Sequence, residues 1–131
     1  MTAHRITVRV YYEDTDMGGI VYYANYLKFF ERGRTELLRS AGIENSKLLT
    51  DDGVAFVVSE CQIRFLKGAV MDDLLDVETI VNEIKGVRIF MKQTIFRQNL
   101  PLVSMTVTLA CMDRDGRAVR IPDSVSGKLI S

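Results

Sequence analysis

The sequence predicts an α+β protein in which an antiparallel sheet wraps around one long central helix. Three observations lead to this prediction. Residues 5–12 alternate polar and β-branched or aromatic side chains, which is typical of a half-buried strand. A long segment follows in which apolar residues recur at steps of three and four, as in an amphipathic helix. From residue 54 onward the pattern changes to four long strand-like segments, and the short turns between them favour antiparallel neighbours.

The helix is predicted from Tyr22 to Ala41. Gly33 lies in its middle, where glycine costs ~1 kcal/mol relative to alanine, so we expect a sheet backbone to cross closely there. Gly42 is expected to end the helix in the left-handed conformation. A short second helix is expected around residues 44–49. The predicted apolar face comprises Tyr22, Tyr26, Phe29, Phe30, Gly33, Leu37 and Ala41.

The four later strands are rich in Val, Ile, Thr and Phe, residues that favour strands. The tail after Pro122 is expected to form a weak helical turn. Because strands this long leave open sheet edges in so small a domain, we expect the edges to pair in a homodimer or homotetramer. The predicted strands are Val54–Phe65, Leu74–Ile84, Val87–Gln98 and Leu102–Met112.

Length and charge limit the classes of function. The 131 residues fit one domain over residues 1–131. Because 17 basic residues balance 17 acidic residues, a general nucleic-acid binder is not expected. The sequence has no apolar run long enough for a membrane span and no secretion signal at its start. Cys61 and Cys111 lie in separate strand-like segments, so we expect two buried thiols and a cytoplasmic protein.

The turn between the first strand and the helix carries the candidate chemistry. Gly18 and Gly19 allow a ligand to approach the main chain closely, and the N–H groups of the next helical turn carry partial positive charge. Asp16 beside that helix end gives the layout of an acyl-transfer site. Turn formation is the favoured interpretation of Asp14, whereas helix capping and a functional role are both open for Asp16.

The sequence lacks the residues that other kinds of binding or catalytic site require. A calcium loop requires an oxygen ligand where Gly18 stands and a glutamate where Asn25 stands. The sequence contains neither a phosphate-binding GxxxxGK loop nor a dinucleotide-binding GxGxxG motif. Its one histidine, His4, is expected to be an exposed, frayed terminal residue, so a histidine-based triad is excluded. Any catalysis therefore falls to a carboxylate, and no metal or other cofactor is predicted.

Residues 12–26, together with the segment 30–36, closely resemble the hot-dog-fold acyl-CoA thioesterases. The similarity is to the 4-hydroxybenzoyl-CoA thioesterase family and its bacterial branch associated with the Tol-Pal system. It implies a five-stranded antiparallel sheet wrapped around the central helix, dimers that join their sheets, and often tetramers. It also implies that Asp16 is the catalytic nucleophile or general base, and that the backbone N–H of Tyr23 polarises the thioester carbonyl. Many Tol-Pal-associated members have histidine at the position of Tyr23.

The resemblance implies an acyl-CoA substrate, or alternatively one carried by acyl carrier protein. Lys67 and Arg88, near strand ends, are candidates to hold the CoA phosphates, within one chain or across a dimer, or are solvated surface charges. The alternative function is a non-catalytic acyl-CoA or acyl-carrier-protein binding module, which does not need Asp16. A hot-dog dehydratase would need a histidine in the helix region. Further substrate contacts are expected from Tyr12, Gly19, Val21 and Tyr22; core packing is the alternative for Tyr12, Tyr22 and Tyr23.

Overall fold

The computed structural model describes residues 3–129. The predicted domain covers residues 1–131, and its first two and last two residues lie outside the described residues. Short 3₁₀ turns at Tyr12–Asp14 and Tyr23–Asn25 precede the long helix, and a π-helical turn at Leu48–Asp52 follows the second helix. The main elements, in chain order, are β1 (His4–Arg9), α1 (Tyr26–Ser40), α2 (Asn45–Lys47), β2 (Val54–Phe65), β3 (Leu74–Lys85), β4 (Arg88–Arg97), β5 (Leu100–Asp113) and α3 (Asp123–Leu129).

The five strands form one antiparallel sheet in the order β1-β3-β4-β5-β2. The predicted architecture of a five-stranded antiparallel sheet around one long helix is therefore confirmed. Strands β1 and β2 form the two edges of the sheet. The side chains of α1 and of one sheet face make a single apolar core, in which Phe29, Phe30 and Leu75 are almost completely buried. No helix within residues 3–129 is long and apolar enough to cross a membrane.

The start of the helix differs from the prediction. Tyr22 is extended, with φ −61° and ψ 128°, and its side chain is exposed rather than part of the apolar face. Its N–H donates to the carbonyl of Asp14. This long-range hydrogen bond holds residue 22 in the preceding loop, so α1 begins at Tyr26. The first strand is likewise shorter than predicted, because the chain turns into the loop after Arg9.

At Gly33, α1 and the sheet approach each other closely. A Cβ atom at Gly33 would lie 2.9 Å from Val77 Cγ1 and from Thr79 Oγ1, and 3.1 Å from Gln93 Nε2. The expected close crossing is present, but the atoms met are side chains of the sheet rather than its backbone. Gln93 is fully buried, and its amide donates to the carbonyl of Phe30 (2.8 Å) and to Thr79 Oγ1 (2.9 Å). The hydrogen bond from Gln93 to Phe30 thus joins the sheet to the helix at this point.

Two predictions about single side chains are wrong. Cys111 is buried as expected, but Cys61 is exposed because it lies on the edge strand β2. His4 is not frayed, since it opens β1 and pairs with Thr79 of β3. Its side chain is half-buried, and its Nδ1 atom is buried without a hydrogen-bond partner among residues 3–129. Gly42 has φ 81° after the end of α1, as predicted.

Candidate active site

The segment between β1 and α1 folds into a tight hairpin. Its incoming arm is residues 14–16 and its outgoing arm is residues 20–22. Two backbone hydrogen bonds, of 2.9 and 3.0 Å, join the arms, and the middle residues of the two arms form an antiparallel bridge. Gly19 closes the turn with φ 82°, a left-handed conformation that glycine adopts without a steric penalty. The backbone of this turn therefore favours glycine at position 19.

Asp16 ends the incoming arm with an exposed carboxylate. Its Oδ1 accepts a hydrogen bond from the Gly18 N–H at 2.9 Å. Within residues 3–129, Oδ2 has no hydrogen-bond partner, and no side chain caps the start of α1. Asp16 therefore does not act as a helix cap. The backbone orients one carboxylate oxygen and leaves the other open to a ligand.

Asp14 has the turn-forming role that was favoured for it. Its Oδ2 accepts the N–H of Tyr11 at 2.8 Å. Its backbone carbonyl accepts two further hydrogen bonds, from the Tyr22 N–H at 2.9 Å and from Asn25 Nδ2 at 2.9 Å. This carbonyl is the point at which both arms and the following helical turn meet.

Tyr23 follows the outgoing arm directly and begins the 3₁₀ turn that leads into α1. The first N–H groups of a helix have no acceptor within the helix. In residues 3–129, the N–H groups of Tyr23 and Ala24 donate no hydrogen bond. They lie at the positive end of a helix of 15 residues. A carbonyl oxygen of a ligand is the kind of acceptor that suits this position.

Three tyrosines surround the hairpin, and core packing is wrong for all of them. The exposed fractions of Tyr12, Tyr22 and Tyr23 are 82%, 45% and 62%. The rings of Tyr22 and Tyr23 lie 5.0 Å apart, and Tyr23 meets Phe65 of β2 edge to face at 6.0 Å. The rings of Tyr22, Tyr23 and Phe65 form an aromatic wall at the turn that carries the free N–H of Tyr23. Val21, in contrast, is buried in the core. The expected contact between its side chain and a substrate stays a prediction.

The two predicted phosphate-binding residues lie in different places. Lys67 is exposed in the loop after β2, two residues before Ala69, whose carbonyl accepts the N–H of Val21 at 2.8 Å. Arg88 pairs with Lys85 at the far end of β3. β3 has 12 residues, and at about 3.3 Å per residue it separates the two ends by roughly 35 Å. Within one chain, the structure brings Lys67 to the hairpin but not Arg88.

Sequence reasoning gave no site role to Asn25 or Tyr26, yet both hold the hairpin. The amide of Asn25 donates to the carbonyl of Asp14, and the hydroxyl of Tyr26 accepts the N–H of Ala69 at 3.0 Å. A polar amide in the first helical turn, directly after the glycine turn, was the signal available for Asn25. Tyr26 fits the apolar face, so the pattern concealed its hydroxyl. Among residues 3–129, no cluster of three or more potential metal-ligating side chains occurs.

Comparisons with known proteins agree with this arrangement. An acyl-CoA thioesterase (YbgC) of Haemophilus influenzae is 51% identical over 106 residues, covering 81% of this chain and 78% of that protein. The crystal structure of a probable thioesterase from Bartonella henselae superposes with a TM-score of 0.90 at 40% identity, covering 92% of this chain and all of that chain.

A 4-hydroxybenzoyl-CoA thioesterase variant, solved with 4-hydroxybenzoyl-CoA, has a TM-score of 0.92 over 97% of this chain and 98% of that chain. At 18% identity it supports the fold alone. The predicted hot-dog fold is confirmed by these structures. Residues 10–129 match the thioesterase-like superfamily. The chain therefore belongs to the thioesterase-like superfamily.

Proposed function

We propose that the protein is a hydrolase that converts an acyl- or aroyl-CoA thioester to the free acid and CoA. The observation that carries this proposal is the hairpin itself, which connects the exposed carboxylate of Asp16 to the free N–H of Tyr23. The relative from Haemophilus influenzae is an acyl-CoA thioesterase at 51% identity, which supports CoA esters as the class of substrate.

In this mechanism the thioester carbonyl oxygen accepts the N–H of Tyr23. The hydrogen bond strengthens as negative charge develops on that oxygen, and a well-placed donor contributes roughly 2.7–4 kcal/mol to the stability of the transition state. The helix that follows adds its positive end at the same place. CoA leaves as a thiolate, which is a good leaving group, so the step proceeds without a strong general acid.

Asp16 supplies the other half of the reaction in one of two ways. As a nucleophile, its free oxygen bonds to the carbonyl carbon, the C–S bond breaks, and water then hydrolyses the acyl anhydride. As a general base, the carboxylate takes a proton from a water molecule that attacks the carbonyl directly. Both routes use the oxygen that no donor occupies among residues 3–129.

The surroundings of the hairpin suggest how the substrate lies. The rings of Tyr12, Tyr22 and Tyr23 offer apolar surface to the acyl group, and the turn at Gly19 leaves the main chain accessible. Val21, which is buried in the core next to Tyr22 in the chain, is a further candidate for a substrate contact. Lys67 is exposed in the loop that contains Ala69, and its ammonium is the candidate to bind a CoA phosphate. Acyl carrier protein is the alternative carrier of the acyl group.

Assembly belongs to the same proposal. Strand β2 pairs with β5 on one side only, and Val57, Val58 and Phe65 on it are nearly half exposed. We expect this edge to pair with a second copy in a homodimer, or in a homotetramer built from such dimers. A second copy would then supply Arg88. The free thiols of Cys61 and Cys111 favour the cytoplasm, and the resemblance favours a link with the Tol-Pal system.

The test is a panel of CoA esters with short, long and aromatic acyl groups, assayed for release of free thiol. We expect release from at least one ester at a rate far above that of spontaneous hydrolysis. Binding of the esters in calorimetry without thiol release would contradict the proposal and identify a non-catalytic binding module. The same assay with acyl carrier protein esters distinguishes the two carriers.

A further inference from the structure

We propose that Asn25 and Tyr26 are positioning residues that fix the two arms of the hairpin to the start of the helix. This inference rests on the proposed function, since it concerns the geometry between Asp16 and the N–H of Tyr23. Each residue holds a different arm through a hydrogen bond. Together they are called the clamp.

Asn25 holds the incoming arm. Its Nδ2 donates to the backbone carbonyl of Asp14 at 2.9 Å, two residues before Asp16. Asn25 itself is the last residue of the 3₁₀ turn that Tyr23 begins. One side chain therefore connects the arm that carries the carboxylate to the turn that carries the free N–H. Its half-buried position protects the hydrogen bond from competing water.

Tyr26 holds the outgoing arm through one intermediate residue. Its buried hydroxyl accepts the N–H of Ala69 at 3.0 Å, and the carbonyl of Ala69 accepts the N–H of Val21 at 2.8 Å. Ala69 is fully buried, so its N–H has no access to water if the hydroxyl is removed. Burial raises the pKa of Tyr26, so the group at this position is the neutral hydroxyl.

The residue between Tyr26 and the hairpin is itself held by the sheet. In the loop that contains Ala69, Asp73 Oδ2 accepts the N–H of Val70 at 2.9 Å and Arg97 Nη1 at 2.7 Å. Arg97 is the last residue of β4. Because Asp73 holds this loop to the end of β4, the hydrogen bond from the Val21 N–H to the Ala69 carbonyl fixes the outgoing arm relative to the sheet and the helix.

We expect the clamp to affect the rate of thioester hydrolysis rather than the affinity for the substrate. Its two hydrogen bonds are made by neighbouring residues at the beginning of α1. They therefore fix the Asp16 carboxylate and the Tyr23 N–H relative to the same turn of the helix. Misplacement of reacting groups by about 1 Å can cost ~10²-fold in rate. The side chains of Tyr22, Tyr23 and Lys67, which are proposed to contact the substrate, take part in neither hydrogen bond.

The test uses Asn25→Ala and Tyr26→Phe, assayed by thiol release beside wild type and Asp16→Asn. We expect kcat to fall roughly 10- to 100-fold in each clamp variant, with KM and the Kd for a non-hydrolysable CoA thioether within about twofold of wild type. Two controls separate geometry from stability. Asn82→Ala removes an exposed amide that makes no hydrogen bond within residues 3–129, and Val125→Ala lowers stability from the buried face of α3. Both controls are expected to keep the wild-type kcat well below their melting temperatures.

The outcomes are distinct. If wild type releases no thiol from any ester, the proposed function is wrong and the clamp proposal is overturned with it. If wild type is active, Asp16→Asn is inactive and both clamp variants keep kcat within twofold, the clamp proposal alone is overturned. A raised KM at unchanged kcat, or a loss of kcat in Val125→Ala equal to that in the clamp variants, also overturns it.

Discussion

Asp16 and Asp14 lie two residues apart on one hairpin arm, yet their carboxylates have different surroundings. The Asp14 carboxylate accepts a hydrogen bond from the N–H of Tyr11 and stabilises the turn of the backbone. Asp16 accepts one hydrogen bond, from the Gly18 N–H, and its second oxygen has no partner within residues 3–129. A sequence pattern of two acids separated by one residue does not distinguish them, because the difference arises from which backbone N–H groups the folded turn directs at each carboxylate.

The first prediction compares these two residues. Asp16→Asn keeps the shape and the acceptor for the Gly18 N–H but removes the negative charge, and with it both proposed roles. Loss of a general base typically costs 10²–10⁴-fold in rate, so we expect thiol release to fall at least a hundredfold. Binding of the acyl-CoA and the oligomer size are expected to stay as in wild type.

Asp14→Asn is the matched control for that prediction. An asparagine there can still accept the N–H of Tyr11, so the hairpin is kept while the same charge is removed nearby. We expect kcat within a few-fold of wild type. If Asp14→Asn loses as much activity as Asp16→Asn, the charge of the turn as a whole matters, and the assignment to Asp16 is wrong.

At the scale of elements, the strands were predicted well because their apolar period of two is a local property of the chain. The start of α1 was placed four residues early, because Tyr22 continues the helical period although a hydrogen bond to Asp14 holds it in the hairpin. The exposure of Cys61 also escaped prediction. A local pattern does not say which strand lies at an edge, and β2 lies at an edge because it pairs with β5, the last strand of the chain, rather than with β3, the next one.

The second prediction concerns the contact between α1 and the sheet. A side chain at Gly33 would meet Val77 Cγ1 and Thr79 Oγ1 at 2.9 Å from its Cβ atom alone. We expect Gly33→Leu to lower the free energy of unfolding by roughly 1–3 kcal/mol or more, because the core is overpacked. Urea denaturation measures this change. Gly33→Leu with wild-type stability would contradict the close packing.

Gly127→Ala is the matched control for Gly33. Gly127 lies in α3, and apart from its chain neighbours and the backbone of its own helix no atom of residues 3–129 lies within 4 Å of the position of its Cβ. Since alanine favours a helix over glycine by roughly 1 kcal/mol, we expect this variant to be unchanged or slightly more stable. The contrast between the two glycines separates helix propensity from packing.

At the scale of the whole molecule, the two sheet edges differ. The edge strand β1 exposes Arg5, Thr7 and Arg9, and charged residues discourage pairing between edges. The edge strand β2 also exposes two charged residues, Glu60 and Arg64, but beside them it exposes the large apolar side chains of Val57, Val58 and Phe65. This difference in edge chemistry, which is visible only once the strand order is known, favours β2 as the edge at which two copies meet.

The third prediction follows from that asymmetry. We expect sedimentation at micromolar concentration to show a species of at least twice the chain mass of 14.8 kDa. Val58→Lys places a charge on the β2 edge and is expected to yield folded monomers. Thr7→Lys makes a similar charge change on the β1 edge and is expected to leave the assembly intact. A wild-type protein that sediments only as a single chain would contradict the proposed pairing.

The last prediction joins assembly to catalysis through Arg88. Because β3 separates Arg88 from the hairpin of its own chain, a phosphate contact by this residue requires a second copy. Arg88→Ala should then raise KM by roughly 5- to 30-fold, equivalent to about 1–2 kcal/mol, with little change in kcat. A heterodimer of Arg88→Ala and Asp16→Asn chains, purified with two different tags, would contain one intact site with Asp16 from the first chain and Arg88 from the second. We expect that heterodimer to hydrolyse the substrate with the wild-type KM at about half the wild-type rate per dimer. A heterodimer whose KM equals that of Arg88→Ala would contradict the contact across the dimer, and a wild-type KM in Arg88→Ala itself would assign Arg88 to the solvated surface.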